Sequence, residues 1–108
     1  MHQEESNNIG LKFDSDKSRV DLIPPAILLD IGKVFTHGAK KYGEKNWHKG
    51  IHYSRLYAAA LRHIFKFALG KTIDEESGLP TLAHAIANLM MLMNMPEDWN
   101  DLYEKGGE

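Results

Sequence analysis

Apolar side chains recur every three or four positions along two stretches of the chain, the spacing that places them on one face of an α-helix. In the first stretch these residues are Leu28, Ile31, Val34 and Phe35, and in the second they are Tyr57, Leu61, Ile64, Phe65 and Ala68. Pro25 and Gly43 are suited to the start and the end of the first helix, which we predict over 25–42. Ser54 is suited to the N-cap of the second helix and Gly70 to its end.

A third stretch, from Leu82 to Met93, is apolar around most of its circumference. It predicts a helix that begins near Pro80 and ends before Pro96. Two neighbouring helices do not cover so much apolar surface. We therefore predict that a second copy of the chain packs on this helix, which makes the protein a homo-oligomer, either a dimer or a tetramer.

Polar residues interrupt the third helix in a single stripe formed by Thr81, His84 and Asn88. A buried polar group without a partner costs about 1–3 kcal/mol, so these side chains need partners. The stripe is therefore directed at a partner helix, a metal ion or a ligand.

The segments outside these three helices are shorter or lack an apolar period. Residues 1–23 are rich in Asn, Ser, Asp and Lys and are predicted to form an extended arm, whereas 97–103 is predicted to form a short terminal helix. The alternating pattern of a β-strand does not appear. We therefore predict an all-α fold, in which 24–108 forms a compact helical bundle of three main helices plus a short C-terminal helix.

Composition excludes several classes of function. The 108 residues are enough for one domain with a single core. Cysteine is absent, which excludes disulfides, thiolate metal sites and cysteine nucleophiles. The 13 Lys and Arg residues are balanced by 15 Asp and Glu residues, so no nucleic-acid partner is expected. The sequence shows neither an apolar run of the roughly 18 residues that span a membrane nor a signal peptide. We therefore expect a cytoplasmic protein that does not associate with a membrane.

Three consecutive carboxylates, Asp74, Glu75 and Glu76, lie between the second and third helices. Carboxylate oxygens are ligands that Mg²⁺ and Mn²⁺ prefer, and a hairpin of the two helices brings His63 and His84 toward this loop. We therefore predict a metal site formed by these five residues. The alternatives are a solvated loop, or acidic charges that stabilise the start of the third helix, with the histidines in the core.

A second group of side chains is suited to a nucleotide. Arg55, Arg62 and Lys66 form a basic ridge on one side of the second helix. Cations bind phosphate groups, and aromatic rings such as Trp47 and Tyr42 stack on a base. The predicted substrate-binding residues are Lys40, Lys41, Tyr42, Asn46, Trp47, Arg55, Arg62, Lys66 and Asn88. Taken singly, each lysine is typical of an ordinary surface residue.

Four segments of the chain resemble one family in order and spacing. They are Arg19-Val-Asp-Leu-Ile-Pro-Pro, His37-Gly-Ala-Lys-Lys-Tyr-Gly-Glu-Lys-Asn-Trp, Tyr53-Ser-Arg-Leu-Tyr-Ala-Ala-Ala-Leu-Arg-His and Glu76-Ser-Gly-Leu-Pro-Thr-Leu-Ala-His-Ala-Ile-Ala-Asn. They are similar to the N-terminal domain family of the phage dATP/dGTP diphosphohydrolases. This resemblance implies a pyrophosphohydrolase that cleaves a purine deoxynucleoside triphosphate to the monophosphate and pyrophosphate with a divalent metal. It also implies a phage or prophage origin and a function related to that of the all-α MazG-like enzymes.

MazG-like enzymes typically hold their metals with a Glu-x-x-Glu motif on one helix and a Glu-x-x-Asp motif on the next. The comparable places in this chain hold Arg62-His63 and Thr81-Leu-Ala-His84. The acidic loop and the two histidines therefore remain the predicted metal cluster. The reserve ligands are Asp21, Asp30 and Glu44.

If the chemistry is shared with the family, a metal-activated water attacks the α-phosphorus and pyrophosphate leaves. The predicted catalytic residues are His63, Glu76 and His84, one of which takes the proton. The basic ridge binds the departing pyrophosphate, and Asn88 orients a phosphate or a histidine.

The alternative function is a non-catalytic helical module of phage origin that binds a nucleotide or a protein. The missing helical carboxylates favour the binding module, whereas the four matched segments favour the enzyme. A His-Asp metal phosphohydrolase is excluded because no His-Asp dipeptide occurs in the chain. The sequence does not select between dGTP and dATP, nor does it determine the number of metal ions or the size of the oligomer.

Overall fold

The computed structural model describes residues 9–104. In that range the chain forms three α-helices, α1 (Pro25–Tyr42), α2 (Tyr53–Ala68) and α3 (Thr81–Asn94), and 3₁₀ turns at Val20–Leu22, Trp47–Lys49 and Glu97–Trp99. Residues 9–104 contain no β-strand, although Ile73 and Pro80 form an isolated antiparallel bridge. The all-α prediction is confirmed. Residues 1–8 of the predicted arm and 105–108 of the predicted domain lie outside the described residues.

Helix α1 has the predicted bounds because its end residues carry strong local signals. Pro25 occupies the first helical position, where the N–H that it lacks would have no partner in the helix. Gly43 follows the last turn with a φ of 100°, a conformation that residues with a side chain rarely adopt. Lys40 and Lys41 lie in the last turn, where positive charge interacts favourably with the helix dipole.

The prediction that Ser54 caps α2 is wrong. His52 is the N-cap residue, and Ser54 lies in the first turn of the helix. The backbone N–H and the hydroxyl of Ser54 donate to the carboxylate of Asp101 at 2.8 and 2.5 Å. A carboxylate 47 residues away therefore pairs with a free N–H at the start of α2 and attaches the C-terminal segment to this helix.

The predicted terminal helix over 97–103 is shorter than expected, because only Glu97–Trp99 forms a 3₁₀ turn. The side-chain oxygen of Asn100 accepts hydrogen bonds from the N–H groups of Leu102 and Tyr103. Its amide nitrogen donates to the carbonyl of Tyr103. A continuing helix would use these N–H groups, so the side chain of Asn100 ends it.

Helix α3 is the central element, because it packs against both α1 and α2 and more extensively against α2. A buried cluster of Ile31, Val34, Ala83 and Ala87 joins α1 to α3. The small alanine side chains allow the two helices to approach closely.

Helices α2 and α3 form an antiparallel hairpin. At one end the hydroxyl of Tyr53 donates to the carbonyl of Met95 at 3.0 Å. At the other end the buried hydroxyl of Thr81 donates to the carbonyl of Lys71 at 2.7 Å, so this member of the polar stripe has a structural partner. The hairpin brings the C-terminal half of α2 and the first turns of α3 to the same acidic loop.

Part of the apolar surface of α3 is exposed to solvent. Met93 is 88% exposed, and Leu89 and Met90 are partly exposed. The prediction that a second copy covers this surface stays a prediction.

The described part of the predicted arm, residues 9–23, is exposed throughout and contains no α-helix. Across residues 9–104, no helix has both the length and the hydropathy needed to cross a membrane.

Candidate functional site

A cleft of about 820 Å³ lies between the three helices and the two loops that join them. Its walls come from the second half of α1, the 43–52 connection, one side of α2, the acidic loop and α3. The predicted site residues that line it are Lys41, Tyr42, Asn46, Trp47, Arg55, Arg62, His63, Asp74, Glu76, His84 and Asn88. The fold therefore brings most of the predicted site residues to one cleft.

Three predicted residues, Lys40, Lys66 and Glu75, lie outside the lining of the cleft. Lys40 is exposed on α1 and does not line the cleft beside Lys41. Lys66 lies one turn beyond Arg62, past the part of α2 that borders the cleft. Glu75 is exposed in the loop. The predicted basic ridge is therefore shortened at the cleft to Arg55 and Arg62.

The acidic loop folds into a tight turn around Asp74. The Oδ2 atom of Asp74 accepts hydrogen bonds from the backbone N–H of Ser77 at 2.9 Å and from the Ser77 hydroxyl at 3.0 Å. Gly78 closes the turn with a φ of 73°. Burial of the Asp74 carboxyl opposes its ionisation, but the hydrogen bonds from Ser77 outweigh burial and hold the pKa of Asp74 below its ordinary value. Asp74 is therefore an ionised hydrogen-bond acceptor at neutral pH.

His84, in the first turn of α3, lies beside this turn. Its Nε2 atom is 2.6 Å from Ser77 Oγ and 3.7 Å from Asp74 Oδ2. The ring of His63, on α2, is stacked on the ring of His84 with 4.9 Å between centroids and 19° between planes. Burial lowers the pKa of both histidines, so both rings are neutral at pH 7. We call Asp74, Ser77, His84 and His63, all of which are partly buried, the buried cluster.

One ring nitrogen of the buried cluster is not paired. Among residues 9–104, the buried Nδ1 atom of His63 has no hydrogen-bond partner. A buried polar atom of this kind usually pairs with protein, water or a ligand.

Glu76 lies two residues after Asp74 but in a different environment. Its side chain is 60% exposed, and its Oε2 atom binds Nζ of Lys41 on α1 at 2.5 Å. The hydrogen bond and the charge of Lys41 hold the pKa of Glu76 below its ordinary value. We call Lys41 and Glu76 the exposed pair.

Sequence reasoning missed His37, which also lines the cleft. Its Nε2 atom is 3.7 Å from Glu76 Oε2, and its ring lies edge-on to the ring of His84 with centroids 6.4 Å apart. His37 and Lys41 are four residues apart, so both lie on one face of α1. That spacing was the available signal.

The cationic wall of the cleft is formed by Arg55 and Arg62. These residues are seven positions apart on α2 and therefore lie on one face of the helix. Asn88 also lines the cleft, from α3, and its amide nitrogen donates to the carbonyl of His84 at 2.9 Å. This bond ties the Asn88 side chain to its own helix.

Two aromatic side chains border the cleft in different ways. Trp47 is partly buried, packs in the cluster of Tyr53, Leu56 and Met95, and therefore serves the core. Tyr42 is 60% exposed at the end of α1. Tyr42 is thus the more accessible ring for stacking on a ligand.

The metal site predicted from Asp74, Glu75, Glu76, His63 and His84 stays a prediction. In the described part of the chain, no group of three or more His, Asp or Glu side chains is arranged to hold a metal ion. Asp74 and His84 are both engaged with Ser77, and Glu76 is engaged with Lys41. The reserve ligands do not complete a group either, because Asp21 pairs with Arg19, Asp30 lies near Lys33, and Glu44 lines the cleft without two partners of this type.

Comparison with known proteins agrees with the four matched segments. A family model described as "dATP/dGTP diphosphohydrolase, N-terminal" matches residues 7–102. The chain belongs to this family. A dATP/dGTP diphosphohydrolase of Salmonella phage PMBT28 is 36% identical over 83 residues, which cover 77% of this chain and 28% of that protein. The chain therefore spans less than a third of the length of this relative. No solved structure matches the chain.

The four matched segments contribute unequally to the lining of the cleft. The segments that begin at His37, Tyr53 and Glu76 contribute lining residues from α1, α2, the acidic loop and α3. Only the segment that begins at Arg19 contributes none. Three of the four matched segments therefore contribute side chains to the cleft.

Proposed function

We propose that this domain binds and hydrolyses a purine deoxynucleoside triphosphate, dGTP or dATP, and releases the monophosphate and pyrophosphate. The observation that carries the proposal is that cations, an ionised carboxylate, neutral histidines and an exposed aromatic ring converge on one cleft. Because the chain spans 28% of its phage relative, the activity of the complete protein is itself part of the proposal.

The triphosphate is proposed to bind along the cationic wall. The guanidinium groups of Arg55 and Arg62 donate paired hydrogen bonds to phosphate oxygens, a geometry that arginine provides and lysine does not. Lys41 exchanges the Glu76 carboxylate for a phosphate oxygen. The purine ring stacks on Tyr42, the more accessible aromatic ring at the mouth of the cleft.

Hydrolysis requires a group that takes a proton from the attacking water. In the proposed step the water oxygen bonds to the α-phosphorus, the bond from the α-phosphorus to the pyrophosphate oxygen breaks, and the water proton moves to His84. Asp74 stays ionised and stabilises the imidazolium that forms. His84 is favoured over Glu76 as the base, because a neutral imidazole is ordinarily a stronger base than a carboxylate.

Mg²⁺ or Mn²⁺ is proposed to accompany the triphosphate, because hard divalent ions prefer phosphate and carboxylate oxygens. The side chains of residues 9–104 do not form a ligand group for such an ion. The binding and proton-transfer steps are therefore assigned to side chains of the protein.

The binding module is the second candidate function, and the lack of a metal-ligand group in the described residues favours it. Pyrophosphate release from a panel of deoxynucleoside triphosphates, with and without Mg²⁺ or Mn²⁺, separates the two. We expect release from dGTP or dATP. Binding of these nucleotides in calorimetry without any release would support the binding module, and neither binding nor release would contradict both functions.

Self-association through α3 is also proposed, because Met93, Met90 and Leu89 expose apolar surface on this helix. Burial of apolar surface stabilises an interface by about 25 cal/mol per Å². Sedimentation at micromolar concentration is expected to show a dimer or a tetramer, and Met93→Glu should shift it toward monomer. A monomeric wild-type chain would contradict this proposal.

A further inference from the structure

The hydroxyl of Ser77 is surrounded by three hydrogen-bond partners. Its Oγ atom is 3.0 Å from Asp74 Oδ2, 2.6 Å from His84 Nε2 and 3.2 Å from the backbone nitrogen of Leu79. A serine hydroxyl has one hydrogen to donate and two lone pairs that accept. Three partners therefore use its full capacity, and the direction of each bond can be assigned.

Two of these directions are set by the chemistry of the partners. The N–H of Leu79 is a donor only, so it takes one lone pair of the hydroxyl. The ionised carboxylate of Asp74 is an acceptor only, so it takes the hydroxyl hydrogen. The one remaining position on Ser77 is a lone pair, and His84 must donate to it.

The opposite assignment is unfavourable. If the Ser77 hydroxyl donated its hydrogen to His84, the lone pairs of Ser77 Oγ and Asp74 Oδ2 would face each other at 3.0 Å. Two acceptors at that distance repel, and the repulsion is strong where water is partly excluded. The side chains of His84 and Asp74 are 12% and 14% exposed, so solvent screens this contact weakly.

We propose that Ser77 is a positioning residue that holds His84 in the tautomer protonated at Nε2, so that Nδ1 is the atom of His84 that accepts the proton. A neutral imidazole carries one N–H, so donation from Nε2 leaves the basic lone pair on Nδ1. The role in proton transfer rests on the proposed function. The assignment of the tautomer rests only on the contacts of Ser77.

Nitrogen-15 NMR of the histidine rings in the wild-type chain, without nucleotide, tests the tautomer directly. The His84 signals are assigned by their loss in His84→Gln. We expect nitrogen shifts of a ring protonated at Nε2 and an Nε2–H proton that exchanges slowly with water. In Ser77→Ala we expect a mixture of tautomers and rapid exchange, and Ser77→Thr should restore the wild-type signals because it keeps the hydroxyl.

Ser54→Ala is the matched control, because the Ser54 hydroxyl also binds a carboxylate but does so on the C-terminal segment, away from His84. It should leave the His84 signals unchanged. A wild-type ring protonated at Nδ1 would overturn the proposal. So would Ser77→Ala signals identical to those of the wild type.

Kinetics extend the test to the reaction. We expect Ser77→Ala to lower kcat about tenfold with little change in KM, because the base is misaligned while the cationic wall is intact. An unchanged kcat would overturn the role in proton transfer. If the wild-type chain releases no pyrophosphate, the proposed function fails, but the NMR result still decides the role of Ser77 in holding the tautomer.

Discussion

Asp74 and Glu76 belong to one short acidic loop, yet the fold places them in opposite environments. The Asp74 side chain is 14% exposed and accepts two hydrogen bonds from Ser77. The Glu76 side chain is 60% exposed and is held by the ammonium group of Lys41. Two carboxylates that look equivalent in the sequence therefore have different partners and different solvation.

We propose that the buried cluster and the exposed pair have separate roles in the cleft. In the buried cluster the hydrogen bonds have the directions proposed above for Ser77 and little competition from water, which suits the transfer of a proton. The exposed pair is screened by water and salt, so Lys41 can exchange Glu76 for another anion at little cost. Such an exchange suits the binding of a phosphate.

The largest expected effect comes from removing the acceptor of the buried cluster with Asp74→Ala. This change leaves the N–H and the hydroxyl of Ser77 without their partner, and an unpaired buried group costs on the order of 1 kcal/mol. Urea denaturation should show a lower free energy of unfolding, and pyrophosphate release should fall because His84 loses its neighbouring charge.

Glu75→Ala is the matched control for Asp74→Ala, because Glu75 is exposed in the same loop and does not line the cleft. Its free energy of unfolding should equal that of the wild type within about 0.5 kcal/mol. Equal effects of the two substitutions would mean that the buried cluster has no special role in the stability of the loop.

The next effect in size is expected at the cationic wall. Arg62→Ala should raise KM about tenfold with little change in kcat, because a phosphate contact is made in the ground state and the transition state alike. Lys33→Ala removes the same charge from an exposed site on α1 outside the cleft and should change neither constant. A large loss of kcat in Arg62→Ala would place this guanidinium near the reacting atoms instead.

Features set by neighbouring residues could be predicted from the sequence, whereas features set by distant residues could not. The bounds of α1 were predictable because Pro25 and Gly43 act on their immediate neighbours. The cap of α2 was not, because Asp101 reaches Ser54 only after the C-terminal segment folds back. Hydrogen bonds between residues far apart in the chain leave no local pattern that sequence reasoning can use.

The acidic loop was found from the sequence, but the different environments of Asp74 and Glu76 within it were not. An Asp followed three residues later by Ser is typical of a turn closed by its own side chains, and this signal could have separated Asp74 from its neighbours. The role of Glu76 depends on Lys41, and that contact forms only when α1 packs on α3. His37 was missed although its spacing of four residues from Lys41 placed both on one face of α1.

A smaller effect is expected from the pH dependence of folding. Burial lowers the pKa of His63 and His84 from an ordinary value of 6.5, so the native state binds fewer protons than the unfolded state just below that pH. The contribution of the two neutral histidines to the free energy of unfolding is complete above pH 6.5 and falls as the pH drops through that value. The lowered pKa of Asp74 acts only near and below 3.8, outside this range.

Urea unfolding at about pH 7.5 and about pH 5.5 measures this dependence. The midpoint should be lower at the acidic pH, and His63→Gln should reduce the difference because it removes one of the buried rings. His48→Gln, which changes an exposed histidine outside the cleft, should retain the wild-type difference. A wild-type midpoint that rises on acidification would contradict the burial of neutral histidines.

The smallest effect is expected at the exposed pair. Glu76→Gln releases Lys41 and removes a negative charge from the cleft, so the triphosphate should bind more tightly and KM should fall about threefold at low salt. The urea midpoint should not change, because an exposed ion pair contributes little to stability. Glu75→Gln removes the same charge from the neighbouring position outside the cleft, and it should leave KM unchanged. If Glu76→Gln instead abolishes turnover while Glu75→Gln does not, Glu76 acts on the metal or the reacting atoms, as the sequence predicted. That result would contradict the proposal that Asp74 and Glu76 have separate roles.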